Sequence, residues 1–242
     1  MKEKKQSMTE YELRIELAAL FRAMAHFGWE DLVYTHASVR IDEDRYLTQN
    51  FTEMFYEVCA SSLIEVNMKK KMPKGQNIAG YSIHSTIYKH RPDVNCIIHT
   101  HTPAGIAASS DPRGLLMSSQ PAFLMSGSVI TLPYTGIINN EDEKKFLAEH
   151  VGQEQIYHVL MEHHGLMTMG DRIASAFLRM FRLEQACLAQ TMMIEEPMSI
   201  HTHLVLEQRK VSEEQNYERP GMDYAWEAVK RLVTKKYPGF RA

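Results

Sequence analysis

The sequence predicts one α/β domain. Segments with helical spacing and segments with strand alternation follow one another along the whole chain, with no internal repeat, low-complexity stretch or linker between them. A length of 242 residues suits one large domain. With 44% hydrophobic and 24% charged residues, the chain has the composition of a folded protein and not of a disordered one. A formal net charge of −3 gives no electrostatic reason to expect nucleic acid or an anionic membrane as partner. No apolar run approaches the ~20 residues that span a bilayer, and the basic start turns acidic before any signal-peptide core can form. Cys59, Cys96 and Cys187 are too scattered for a disulfide framework, so a reduced, cytoplasmic setting is expected.

Residues 1–8 read as a loose tail. Thr9 with Glu12 forms a capping-box pattern, and Leu13, Leu17, Leu20, Phe21 and Met24 carry a helix toward a stop at Gly28. Residues 34–49 alternate as two strands of a hairpin about a polar turn at 42–44. A second polar turn, 69–77, is expected between short strands. Residues 82–89 look helical and end before Pro92, and 94–98 form a short apolar strand. Residues 103–110 read as a helix with Pro103 in its first turn, where proline is favoured. Then come a strand at 128–133, a helix at 141–150, a strand at 156–162 and a long amphipathic helix at 172–192. The domain is drawn at 9–194, with 195–242 as an extension whose amphipathic helix packs on the domain or on a neighbouring subunit.

Sixteen methionines read as flexible core filler. Twelve histidines are more informative. His99-Thr100-His101 directly follows the apolar run, and on a strand residues i and i+2 share a face, so both imidazoles can meet one ion. Alone, such a pair is more often a polar strand end, solvated or hydrogen-bonded, than a metal site. A third nitrogen has to come from elsewhere, and His163-His164-Gly165 closes another strand-like segment with a glycine that permits a tight turn.

HRPDVNCIIHTHTPAG at 90–105, HHGLMTMG at 163–170 and FLRMFRLEQACLAQ at 177–190 together resemble the class II aldolase/adducin family. GWEDLVYTHASVR at 28–40 and YEVCASSLIEVN at 56–67 add to the resemblance, which runs from about Leu13 to Gln190. It implies a three-layer α/β/α fold with a mixed, mainly antiparallel sheet. It also implies a homotetramer, and His99, His101 and His164 as ligands of one divalent ion per subunit. Zn2+ is expected first, with Fe2+ or Mn2+ as alternatives. Three neutral imidazoles with an open fourth position suit a catalytic centre that stabilises an enediolate as a Lewis acid. His163 is expected to pack beside the ligands.

The sequence departs from the family in two places. The carboxylate expected four residues before His84 is Gly80, which removes the base of simple aldol cleavage. The glycine-bearing phosphate segments are replaced by Thr35-His36 and by Thr48-Gln49-Asn50-Phe51, so a phosphorylated substrate is not expected. His36, Ser38 and Arg40 alternate onto one face as a candidate site for a substrate carboxylate, against the alternative of a solvated edge strand. His84 is a candidate base, against a buried histidine bonded to backbone. Tyr224, on the C-terminal helix, is a candidate proton donor supplied to a neighbouring subunit, against an aromatic that simply packs. His201 and His203 repeat the spacing without a third partner, Cys96 reads as an inert core thiol, and Arg91-Pro92-Asp93 reads as a turn.

The resulting expectation is a metal-dependent lyase that cleaves or decarboxylates a small, non-phosphorylated hydroxy- or oxo-acid. The alternatives are an iron-dependent oxygenase using the same histidines and a non-enzymatic adducin-like scaffold.

Overall fold

The computed structural model describes residues 8–136, 138, 140–214 and 218–242, so the expected tail at 1–8 falls almost wholly outside the described residues. Helix α1 (Glu10–His26) starts on the Thr9/Glu12 capping box. It is followed by β1 (His36–Arg40), β2 (Arg45–Thr48), β3 (Ile64–Asn67), α2 (Ile78–His90), β4 (Cys96–Thr100), α3 (Pro103–Ser109) and α4 (Gln120–Leu124). The second half comprises β5 (Val129–Leu132), α5 (Glu141–Val151), β6 (His158–Met161), β7 (Gly165–Gly170), α6 (Ile173–Thr191), α7 (Thr202–Glu214) and α8 (Glu218–Lys236).

The seven strands form one sheet in the order β3-β2-β1-β4-β7-β6-β5. Every neighbouring pair is antiparallel except β5 with β6. Alternation divides the sheet between two cores. Ala37, Val39, Cys96, Ile98, Leu160 and Leu166 face α1, α6 and α8, whereas Ile97, Val159, Met161, Met167 and Met169 face α2 and α5. By the same period of two, His36, Ser38, Arg40 and His99 lie on the α2 face and Thr100 on the α6 face.

Two expectations need correction. The polar stretch 69–77 does not join two strands: it leads from β3 into α2, which starts four residues before the expected helix because Asn77 caps the N–H groups of Ala79 and Gly80. Arg91 does more than mark a turn. It is 1% exposed, and its guanidinium donates to the carbonyls of Val151, Gln153, Glu154 and Ile156 at 2.7–3.0 Å while pairing with Asp93. Strands β3 and β7 and the short helix α4 were not anticipated as such.

The C-terminal helix packs on its own chain. Trp226 is buried against Phe177, with ring centroids 5.2 Å apart, and donates from Nε1 to Glu16 of α1. Cys96 is fully buried, and burial pushes its thiol pKa up, as an inert core thiol requires.

Candidate metal centre

His99 lies near the end of β4, and its Nδ1 donates to the carbonyl of Leu166 on β7 at 2.9 Å. His101 stands one residue beyond the strand, and its Nδ1 donates to Asp31 Oδ2 at 2.9 Å. His164 comes from the β6–β7 hairpin, closed by its own N–H on the carbonyl of Met161. That hairpin needs the next residue to be glycine: Gly165 has φ +155°, and a Cβ there would run into the carbonyl oxygen of Thr100.

The three Nε2 atoms converge. His101 Nε2 lies 2.8 Å from His99 Nε2 and 2.9 Å from His164 Nε2. A carbonyl and a carboxylate can only accept, so the hydrogens of His99 and His101 sit on Nδ1 and both Nε2 atoms present lone pairs. Burial holds His99 well below the usual histidine range, helped by the neighbouring imidazoles, and pushes His164 down to about 4. Burial thus favours the neutral form of His99 and His164, the form in which an imidazole can bind a divalent cation. Around such an ion the nitrogens would spread from their present contacts to suit bonds of about 2.0–2.1 Å.

Asp31 was not singled out in the sequence, although it lies within the GWEDLVYTHASVR stretch; its only signal is an acid in the loop before β1. Among the described residues, the non-glycine positions with φ above zero are Leu32 (+49°) and His163 (+56°). They adjoin Asp31 and His164, so backbone strain is concentrated where the centre is built. His163 itself is exposed and turns toward Tyr134, with ring centroids 6.5 Å apart, so it does not pack beside the three imidazoles.

His36 pairs across the sheet with His99, their ring centroids 4.8 Å apart. From it a buried chain of polar groups runs inward. His36 Nδ1 meets His84 Nε2 at 2.8 Å, His84 Nδ1 meets Ser38 Oγ, and Ser38 Oγ meets Tyr88 Oη at 2.7 Å. His84 is therefore buried but bonded to side chains, not to backbone.

Ser38 and Arg40 share the face of His36 without sharing its surroundings. Ser38 is fully buried in the chain just described. Arg40 lies about 13 Å along the strand from His36, where it donates to the carbonyls of Tyr88, Arg91 and Val94. Neither reaches the three imidazoles. Tyr224 does not reach them within this chain either. It is 75% exposed beside Asp223, which pairs with Arg172 just past Gly170, a residue that faces Cys96 at the opposite end of β4. His201 and His203 stack on each other at the exposed start of α7.

Gly80 has a steric explanation. A Cβ at this position would meet His36 Cδ2 at 3.0 Å and Nε2 at 3.2 Å, so the imidazole occupies the room a side chain at 80 would need. The Thr48-Gln49 segment is likewise committed. Thr48 Oγ1 donates to the Ala37 carbonyl and Gln49 Nε2 to the Thr35 carbonyl, both at 2.8 Å, so these two side-chain donors are already committed.

Two predictions follow from these contacts. Gly80→Ala should cost about 1 kcal/mol in net stability, because moving a buried ring outweighs the gain in helix propensity. In a thermal-denaturation cycle, His36→Ala/Gly80→Ala should lose less than the sum of the single variants. The second concerns acid. Burial pushes His84 and His158 down to about 3, against about 6.5 in an unfolded chain. The unfolded state therefore binds more protons between those values. Stability contributed by the neutral forms is complete above about pH 6.5 and falls by roughly 1.4 kcal/mol per unit for each histidine as pH drops below it. Urea titrations at pH 4.5–7 should show this slope, and His158→Gln should reduce it by one proton.

A mixed sheet whose middle strand ends in a His-x-His pair, met by a third imidazole from the adjoining hairpin, defines an α/β protein with a candidate metal centre. Residues 15–191 match the model of the Class II Aldolase and Adducin N-terminal domain, and the chain belongs to that family. It is 37% identical over 245 residues to the "Putative aldolase class 2 protein" of Pseudomonas aeruginosa, covering 97% of this chain and 94% of the relative. It is also 37% identical over 186 residues to alpha-adducin of Rattus norvegicus, which covers 74% of this chain but only 25% of the adducin. Among solved structures, an aldolase II superfamily protein from Pseudomonas syringae superposes with a TM-score of 0.88 at 30% identity, over 98% of each chain. The three-layer, mainly antiparallel architecture expected from the resemblance is thus the observed one. Among the described residues, no helix is long and apolar enough to cross a membrane.

Proposed function

We propose that this chain is a divalent-metal-dependent lyase that cleaves or decarboxylates a small, non-phosphorylated hydroxy- or oxo-acid. The observation that carries the reading is the pair of Nε2 lone pairs on His99 and His101, 2.8 Å apart with both Nδ1 hydrogens committed elsewhere. Such an arrangement is repulsive unless a cation or a proton lies between the nitrogens. His99, His101 and His164 would hold one ion per subunit, Zn2+ before Fe2+ or Mn2+. When bound, such an ion supplies Lewis-acid stabilisation of the negative charge that develops on a substrate oxygen.

The protein's own groups do the rest. Asp31 and the Leu166 carbonyl fix the tautomers and ring planes of His101 and His99. His36, tied through Nδ1 to His84, keeps Nε2 for a substrate carboxylate oxygen. Ser38 acts behind it by orienting His84, and Arg40 acts further back by holding the end of α2 to β1. With neutral His36 and Gly80 next to the centre, no carboxylate from that side repels an anionic substrate.

The test is metal content per chain of freshly purified protein, followed by a panel of hydroxy- and oxo-acids assayed for released aldehyde and carbon dioxide. One bound ion with turnover of a panel member supports the reading. A metal-replete protein that turns over none of them removes the lyase. A non-enzymatic scaffold is the second reading, favoured by the match to alpha-adducin, and failure to take up any divalent ion would leave it standing. The proposal includes a homotetramer in the cytoplasm, checked by sedimentation of a species of four 27.9 kDa chains.

A further inference from the structure

Glu184 is a buried acid that the function described so far does not use. It lies on α6, 6% exposed, behind the strand end that carries the His-x-His pair. Its Oε1 accepts from Thr100 Oγ1 at 2.7 Å, and its Oε2 accepts from Thr102 Oγ1 at 2.6 Å. These threonines alternate with His99 and His101, so they point to the opposite face from the imidazoles.

The sheet alone does not hold His101. The β4–β7 ladder ends at the pair Thr100↔Leu166, and the chain then passes to α3, whose N-cap is Thr102. His101 thus sits between the last laddered residue and the first capped one. One carboxylate grips the residues on both sides of it. Glu184 also stands on a helix that packs on both β4, which supplies His99 and leads to His101, and β7, which directly follows His164.

We infer that Glu184 is a positioning residue for the metal centre: by clamping Thr100 and Thr102 it fixes the backbone from which His101 projects toward His99 and His164. This rests on the metal-site reading proposed above. Asp31 sets the rotation of the His101 ring, and Glu184 sets where the ring starts from. Loss of the side chain at 184 frees the strand end and lets the third nitrogen drift from the point where the other two aim.

The test uses the full chain loaded with Co2+, whose d–d absorption reports ligand geometry. Affinity is read by chelator competition and stability by thermal midpoint. Glu184→Ala should weaken Co2+ binding by about tenfold, the lower end of the range for groups behind metal ligands, and should change the d–d bands. Glu184→Gln, which keeps the shape and one acceptor oxygen, should recover most of both. Leu183→Ala, a core truncation on the same helix, should lower the thermal midpoint without moving affinity or spectrum. Thr100→Val removes one arm of the clamp at constant volume and should weaken binding by severalfold; it decides the matter if Glu184→Ala does not fold. Wild-type affinity and spectrum in Glu184→Ala or in Thr100→Val would overturn the inference and leave the metal-site reading intact. A wild-type chain that binds no Co2+ would overturn both.

Discussion

Arg91→Ala is expected to lower the free energy of unfolding by about 4 kcal/mol. The guanidinium donates to four carbonyl oxygens, those of Val151, Gln153, Glu154 and Ile156, at the end of α5 and the entry to β6. A buried carbonyl left without a donor costs roughly 1–3 kcal/mol; the four do not add fully, because the Gln153 carbonyl keeps the Ile156 N–H and the exposed Gln153–Glu154 segment can relax toward water. Asp93, whose carboxyl Arg91 holds below its ordinary value, would lose its partner at the same time. Arg91→Lys should recover about half, since an ammonium reaches some of these carbonyls but lacks the planar fork that reaches both groups. Urea unfolding monitored by circular dichroism measures both. Equal stability of Arg91→Ala and wild type would mean that the loop closes on itself without the guanidinium. The consequence for the site is direct, because β6 leads into the hairpin that presents His164.

Removing any one of the three converging imidazoles should abolish the thermal response to metal. For a ligand present at about a thousand times its Kd, binding to the folded state alone adds about 4 kcal/mol. For a domain of this size that raises the thermal midpoint by about 10 °C. Wild-type protein stripped with a chelator and returned to excess Zn2+ should show this shift. His99→Ala, His101→Ala and His164→Ala should show almost none of it, and should retain no ion after desalting. Exposed His201→Ala is the control and should behave as wild type, since its partner His203 offers only a stacked ring. A shift that survives in His164→Ala would mean that the ion sits elsewhere.

Much of the fold was legible because period and punctuation are local signals. The capping box at Thr9, the proline opening α3, the alternation in β1 and β2 and the apolar run of β4 each depend on residues within a few positions of one another. Strand β7 was missed for a physical reason. Its six residues are buried on both faces, so LMTM shows no alternation of apolar and polar side chains. Strand β3 is short, and its polar surroundings resemble those of a loop.

The candidate site divides in the same way. The sequence by itself pointed to His99 and His101, through a spacing of two on a strand, and to the family; the choice of His164 from the second pair came from the resemblance to that family. Tertiary structure alone decided which neighbours serve them. Asp31, Glu184 and His36 reach the centre from a loop, a helix and an adjacent strand, at separations of 70, 84 and 63 residues along the chain from His101, Thr100 and His99 respectively. It also decided that Ser38 and Arg40, on the same face as His36, face other partners, because strand alternation specifies a side but not a depth. A side chain's chemistry can be read from its letter; whether its donors remain free depends on which carbonyls and carboxylates the packed chain brings within 3 Å, and only the folded molecule sets that.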